Sequence, residues 1–275
     1  MYQILSQLSD PCTCIPSEDV TGYVQRDDRF KAWAIDGGSY LTERPFTTFS
    51  DCSDAHWFAT ELSNLLADDL RDDSFNANRL HVGLDALRRR YVSLAPSTPI
   101  WAYPVAACTI IELQRLDEHI IADIYQYADC FALFGRGNPS YVSEAPTEFH
   151  SISSAIHWRP FSGFSGEQLT SLRDRRIEQQ ENKNTTALTL NAESAANCTH
   201  VREILDVPCQ VLIGTDGLSR AWELYRLLET DSVIDFISKQ GLHALFRRLR
   251  CHEDGQDQAR PKSRDDAAAL HIQCA

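Results

Sequence analysis

Between residues 53 and 94 apolar side chains recur at helical spacing, and on both sides of that stretch the period drops to two. This switch limits the architectures open to the chain more than any other feature, because a helix and a strand bury different sets of residues. Phe58, Leu62, Leu65, Leu66 and Leu70 share one face of a helix over about 53–71, with acidic residues opposite. Leu80, Leu84, Leu87 and Tyr91 do the same over about 76–94. Ahead of the helices, 20–25 and 30–35 read as two strands joined by the polar turn QRDDR. Behind them, 103–113, 118–126 and 128–135 read as three consecutive strands with short polar connections, a meander. Residues 135–167 are rich in Gly, Pro and Ser and read as loop or flap, and 167–182 as a polar helix. Residues 183–200 are weakly patterned. Strands at about 200–206 and 209–215, helices at about 219–228, 230–238 and 240–250, and a last strand at 267–273 complete the order.

Strands, two helices, strands, helices and a final strand do not alternate as βαβ units do. The order predicts an α+β fold of two stacked, mostly antiparallel β-sheets flanked by helices on both sides. At 275 residues, with no linker poor in apolar residues, the chain reads as a single domain over 1–275, with a flap region at about 136–185. The formal net charge of -13 argues against nucleic acid or an anionic membrane as the main partner, since phosphate backbones call for clustered Lys and Arg. No run of about 18 apolar residues suggests a membrane span. MYQILSQLSDPC lacks the basic start and apolar core of an export signal, and nine scattered cysteines then read as reduced thiols of a cytoplasmic protein.

Three acidic motifs adjoin apolar strand-like runs: Asp36-Gly37 in FKAWAIDGGS, Asp216-Gly217 in QVLIGTDGLS, and Asp265-Asp266 in SRDDAAALHI. A fourth pair, Glu18-Asp19, opens the first hairpin. Each alone has an ordinary structural use. An Asp-Gly pair makes a turn, an Asp before a helix caps it, and paired acids solvate a strand entry. Taken together they are a set of oxygen donors carried on rigid strand ends. Converging carboxylates repel one another unless a cation lies between them, and oxygen-only ligands suit magnesium or manganese. The pattern points to a metal-dependent hydrolase of phosphate esters.

In their order these motifs resemble the metal-dependent protein phosphatase 2C family, in a divergent, bacterial-type form. Glu18-Asp19 is similar to the family's Glu-Asp opening, Asp36-Gly37 to its metal-bridging Asp-Gly, and PVAACTII (104–111) stands where the family has a strand of small residues and Thr. Asp129 in YADCFAL resembles the Gly-Asp-Ser motif with Ala128 and Cys130 as neighbours, TDGLS the later Asp-Gly, and SRDDAAALHI the closing Asp-Asp or Asp-Asn. The resemblance implies an α-β-β-α sandwich and hydrolysis of phosphoserine or phosphothreonine of a protein by water activated between two Mn or Mg ions. Asp36 and Asp216 would be the catalytic carboxylates. Asp36 would bridge the ions, Asp216 and Asp265 would complete one site, and Glu18 with the Gly37 carbonyl would serve the other. Asp19 and Asp266 would stand behind the ligands, and Asp129 would help hold a third ion.

Two family features differ here. The first basic residue is Arg26, so no Arg precedes Glu18-Asp19 to hold phosphate, and Gly38 stands where some members place a His. These departures motivate a second reading, a catalytically silent relative that binds or regulates. A third is a phosphatase of small phosphoesters, whose flap would cover the cleft. Other features have plainer readings. Cys12 and Cys14 read as ordinary thiols, Cys251-His252 as a helix end, and Arg88 to Arg90 with Arg173, Arg175 and Arg176 as solvated helix faces. Trp57, Trp101, Trp158 and Trp222 read as core or half-buried packing.

Overall fold

A computed structural model describes residues 1–11, 16–38, 41, 52–140, 165–255 and 264–275. Its strands are β1 (Tyr2–Asp10), β2 (Asp19–Arg26), β3 (Arg29–Gly37), β4 (Val105–Leu116), β5 (His119–Tyr127), β6 (Phe131–Arg136), β7 (Leu188–Thr189), β8 (Thr199–Asp206), β9 (Cys209–Gly214) and β10 (Ala267–Cys274). Its helices are α1 (Asp54–Asp69), α2 (Ala77–Leu94), α3 (Gly166–Gln180), α4 (Asp216–Ser219), α5 (Val233–Gln240) and α6 (Leu242–Asp254). Cys12, Cys14, Trp158 and residues 141–164 of the expected flap lie outside the described residues.

The strands form two antiparallel sheets. One runs β1-β10-β9-β6, the other β2-β3-β4-β5-β8 with β7 on the end of β4. Alternation along each strand divides its residues between two layers. In β3, Phe30, Ala32 and Ala34 face the other sheet, and Trp33 and Ile35 face α1 and α2. In β10, Leu270, Ile272 and Cys274 point between the sheets, and Ala267 and Ala269 point toward α5 and α6. The central strands are buried on both faces, β10 along its whole length and β4 from Val105 to Ile111. The result is the layered arrangement expected from the element order: helices, sheet, sheet, helices. Burying each large aliphatic or aromatic side chain in these layers stabilises the fold by about 1.5–3 kcal/mol.

Helix starts follow local chemistry. Ser53 and Asn76 accept from the backbone of His56 and Asn78 and so cap α1 and α2. Three local expectations need correction. A strand over Tyr2–Asp10 was not expected; a register shift between Ile4 and Ser6 breaks its apolar alternation. The meander ends after two strands. Ala128 takes a left-handed φ of 60°, the chain turns at Asp129, and β6 crosses to pair with β9 in the other sheet. The helix expected over 219–228 is one turn, α4. Beyond it Glu223 N and Leu224 N still bond to Ser219 O and Arg220 O, but Tyr225 N bonds to Arg220 O and Leu227 N to Ala221 O, and Arg226 is left-handed with φ 54°, so the helical ladder stops at Leu224.

Candidate active site

The acidic motifs meet at one end of the sandwich. In the β2–β3 ladder Asp19 lies directly opposite Asp36. β9 ends at Gly214, and Thr215 ties the two sheets together there. Its hydroxyl donates to Asp19 Oδ2 (2.7 Å) and accepts from Ala268 N (2.9 Å), while its own N–H donates to Ala268 O (3.0 Å). Asp266 reaches from the start of β10 to the segment before β2. Its Oδ2 accepts from Glu18 N (2.7 Å) and from Ser17 Oγ (3.2 Å). Glu18 Oε1 accepts from Ser53 Oγ (2.5 Å), the hydroxyl that also caps α1, so the helix start and the acidic pair are set by one side chain.

Backbone contact at two glycines brings these segments close. A Cβ on Gly37 would lie 2.8 Å from the Glu18 carbonyl oxygen, and one on Gly217 would lie 1.7 Å from that of Asp266. Any side chain at either position would push the motifs apart. Asp216 therefore opens α4 beside the Asp265-Asp266 segment.

The electrostatics reflect the crowding. Glu18, Asp19 and Asp266 are each under 5 % exposed. Burial, then the charge of Asp266, hold the Asp19 carboxyl well above the usual carboxylate range; the Thr215 hydroxyl opposes this, Asp265 adds to it, and a hydrogen bond with Asp36 opposes it. Burial also raises the Cys130 thiol, followed by the charges of Asp36, Cys108, Asp19 and Asp129. Asp129 itself is exposed at the β5–β6 turn. The structure thus brings Glu18, Asp19, Asp36, Asp265 and Asp266 together with the start of α4, and leaves Asp129 at the margin.

Two arginines join the cluster that were not expected there. Arg176, read as part of a solvated face, is 8 % exposed and donates to Tyr103 O (3.3 Å). Its guanidinium stands 3.7 Å from where a Cβ on Gly38 would be. Burial pulls its pKa down to about 10, opposed by the charge of Glu18. Arg173 likewise turns inward, donating to Leu41 O (3.0 Å) and covering the Trp101 ring at 4.0 Å. A signal was present, since Leu169, Leu172, Arg176 and Gln180 recur at helical spacing on one stripe of α3. The second arginine, Arg220, approaches Asp265. The expected packing of Trp57 and Trp222 is observed, at 5 % and 2 % exposure.

The acidic motifs at this end offer carboxylate oxygens, and the Gly37 carbonyl adds another oxygen. That chemistry fits a hard divalent cation. Among the described residues no three His, Cys, Asp or Glu side chains stand close enough to grip one ion. Protein donors hold the carboxylates instead: Ser53 on Glu18, Thr215 on Asp19, Arg220 near Asp265.

No protein-family model matches the sequence, and no curated protein matches it. Solved structures match its fold. The S. agalactiae serine/threonine phosphatase superposes with a TM-score of 0.55 at 10 % identity, over 100 % of both chains. The photosystem II phosphatase PBCP superposes with a TM-score of 0.56 at 15 % identity, over 100 % of this chain and 99 % of the other. The two-sheet, helix-flanked fold that the motifs implied is the fold of these phosphatases. No helix among the described residues is long and apolar enough to cross a membrane.

Proposed function

We propose that this chain is a metal-dependent phosphatase that hydrolyses phosphoserine or phosphothreonine of proteins. The observation that carries the reading is the meeting of Glu18-Asp19, Asp36-Gly37, Asp216-Gly217 and Asp265-Asp266, which are up to 248 residues apart in sequence, at one end of a phosphatase-like sandwich. Asp36, Asp216 and Asp265 would hold one Mn or Mg ion, and Glu18, Asp36 and the Gly37 carbonyl the other; Asp129 would assist a third. When bound, such ions make water nucleophilic near neutral pH and offset charge on the phosphoryl oxygens.

The chain's own residues prepare that end for anionic chemistry. Thr215 and Ser53 fix the rotamers of Asp19 and Glu18 through hydrogen bonds of 2.7 and 2.5 Å. Asp266 anchors the Glu18 backbone, so Glu18 is held from both its main chain and its side chain. Arg176 places positive charge beside Glu18 and Gly38. Gly37 allows backbone contact with the Glu18 segment, and Gly217 with the Asp266 segment.

A second reading is a silent relative that binds without turnover, and one observation favours it: the carboxylates are already engaged by Ser53, Thr215 and Arg220. Hydrolysis of an aryl phosphate with and without manganese separates the two. Wild type should turn over only with the metal, and Asp36→Asn and Asp216→Asn should each lose at least two orders of magnitude, about 3 kcal/mol of barrier, while keeping the wild-type circular dichroism spectrum. Wild-type rates in both variants would overturn the assignment, and no turnover with any divalent ion would favour the silent relative.

A further inference from the structure

Arg220 follows α4, four residues after Asp216, and its guanidinium ends 3.6 Å from Asp265 Oδ2. The two side chains are 14 % and 17 % exposed, so the pair interacts through a less screened medium than a surface pair would. Neighbours restrain the guanidinium. Its Nη2 donates to Tyr225 Oη (2.8 Å), its Nε stands 4.0 Å from Glu253 Oε1, and it lies 5.5 Å from the centre of the Tyr225 ring. Glu253, whose side chain is fully buried, also pairs with Arg250 Nη1 at 2.6 Å. Arg250 pairs with Asp10 (2.6 Å) and donates to the Asp265 carbonyl (2.9 Å). Arg250 thus holds the main chain of Asp265, and Arg220 faces its side chain.

We propose that Arg220 is a positioning residue that competes with the divalent ion for Asp265. It serves as the counter-ion of that carboxylate, and an ion bound by Asp36, Asp216 and Asp265 must displace it. The inference rests on the metal-dependent reading above. Its physical basis is that one carboxylate cannot neutralise a guanidinium and a divalent ion equally well, and the two cations repel each other across a few ångströms. Asp265 then adds little to metal affinity while Arg220 is present, and much once it is removed.

A double-mutant cycle reads this directly. Manganese is titrated into the full chain, followed by calorimetry and by loss of the free-ion electron paramagnetic resonance signal, for wild type, Arg220→Met, Asp265→Asn and the double variant. Arg220→Met should tighten binding about tenfold and Arg220→Lys, which keeps the charge, should stay near wild type. Asp265→Asn should change affinity less than about threefold alone, yet remove the whole gain in the Arg220→Met background. Equal effects of Asp265→Asn in both backgrounds, or no tightening in Arg220→Met, would overturn the inference. If those results come with manganese binding that Asp36→Asn abolishes, the metal reading stands and only the competition fails. Absence of manganese binding in every variant would remove both. Should Arg220→Met not fold, Tyr225→Phe deletes only the hydroxyl that restrains the guanidinium. It should tighten binding about threefold, and unchanged affinity there counts against the inference.

Discussion

His271 is a buried titratable group of the core. It is 2 % exposed, and its Nε2 lies 3.0 Å from Gln210 Oε1. Gln210 spends its amide nitrogen on Gly137 O and Ser238 Oγ, each at 3.2 Å, so its oxygen faces the ring and accepts from the His271 Nε2–H. Burial lowers the His271 pKa to about 4. In the unfolded chain the ring takes a proton near its ordinary value of about 6.5. Between those values the unfolded state binds more protons, so stability is full above about pH 6.5 and falls as pH drops toward 4, by up to about 3 kcal/mol from this group. Urea midpoints at pH 7.5 and 5.0 should show a larger acid loss for wild type than for His271→Gln; equal losses would show that another group dominates. At this scale the acidic motifs were legible because each carries its own local sequence. The stripe of α3 marked Arg176 as inward-facing, but its neighbour Glu18, 158 residues away, was not legible, nor was the pairing of Arg220 with Asp265, 45 residues away.

At the scale of elements, glycines at strand and helix ends decide whether the site forms. Gly217 is the second residue of α4, and the Cβ of an alanine there would sit 1.7 Å from the Asp266 carbonyl oxygen. The clash is with backbone, which yields less readily than a side chain. Gly217→Ala should cost about 2–3 kcal/mol or more, seen as a melting temperature lower by about 5–10 °C, and should reduce any phosphatase rate along with it. An unchanged melting temperature would mean the two segments separate freely. Long amphipathic elements were legible for a related reason: α2 shows Leu80, Leu84, Leu87 and Tyr91 at regular spacing because one of its faces meets one sheet. The segment after Ser219 was read as a helix over about 219–228. Its course is set instead by the backbone bonds to Arg220 and Ala221 and by the left-handed Arg226.

For the whole molecule, the last strand holds the first. β10 lies between β1 and β9, with Tyr2 opposite Cys274 and Asp10 opposite Ala267. It also carries Leu270 and Ile272 into the layer between the sheets. A chain ending at Asp266 would lose the strand that connects β1 to β9 and expose both apolar faces next to it. It should lose cooperative urea unfolding and bind a hydrophobic dye at neutral pH, whereas a sigmoidal transition like wild type would show that β1 and β9 find each other without it. Sequence alone determined the long helices, most of the strands and the two-sheet architecture, because periodicity and turn residues act over a few positions and report burial directly. Tertiary structure alone decided that β6 leaves the meander for the other sheet, that a strand begins at Tyr2, and which protein groups hold each carboxylate. Those outcomes depend on pairings between segments as far apart as residues 2 and 274, whose free energy comes from surfaces that meet only after the sheets have stacked.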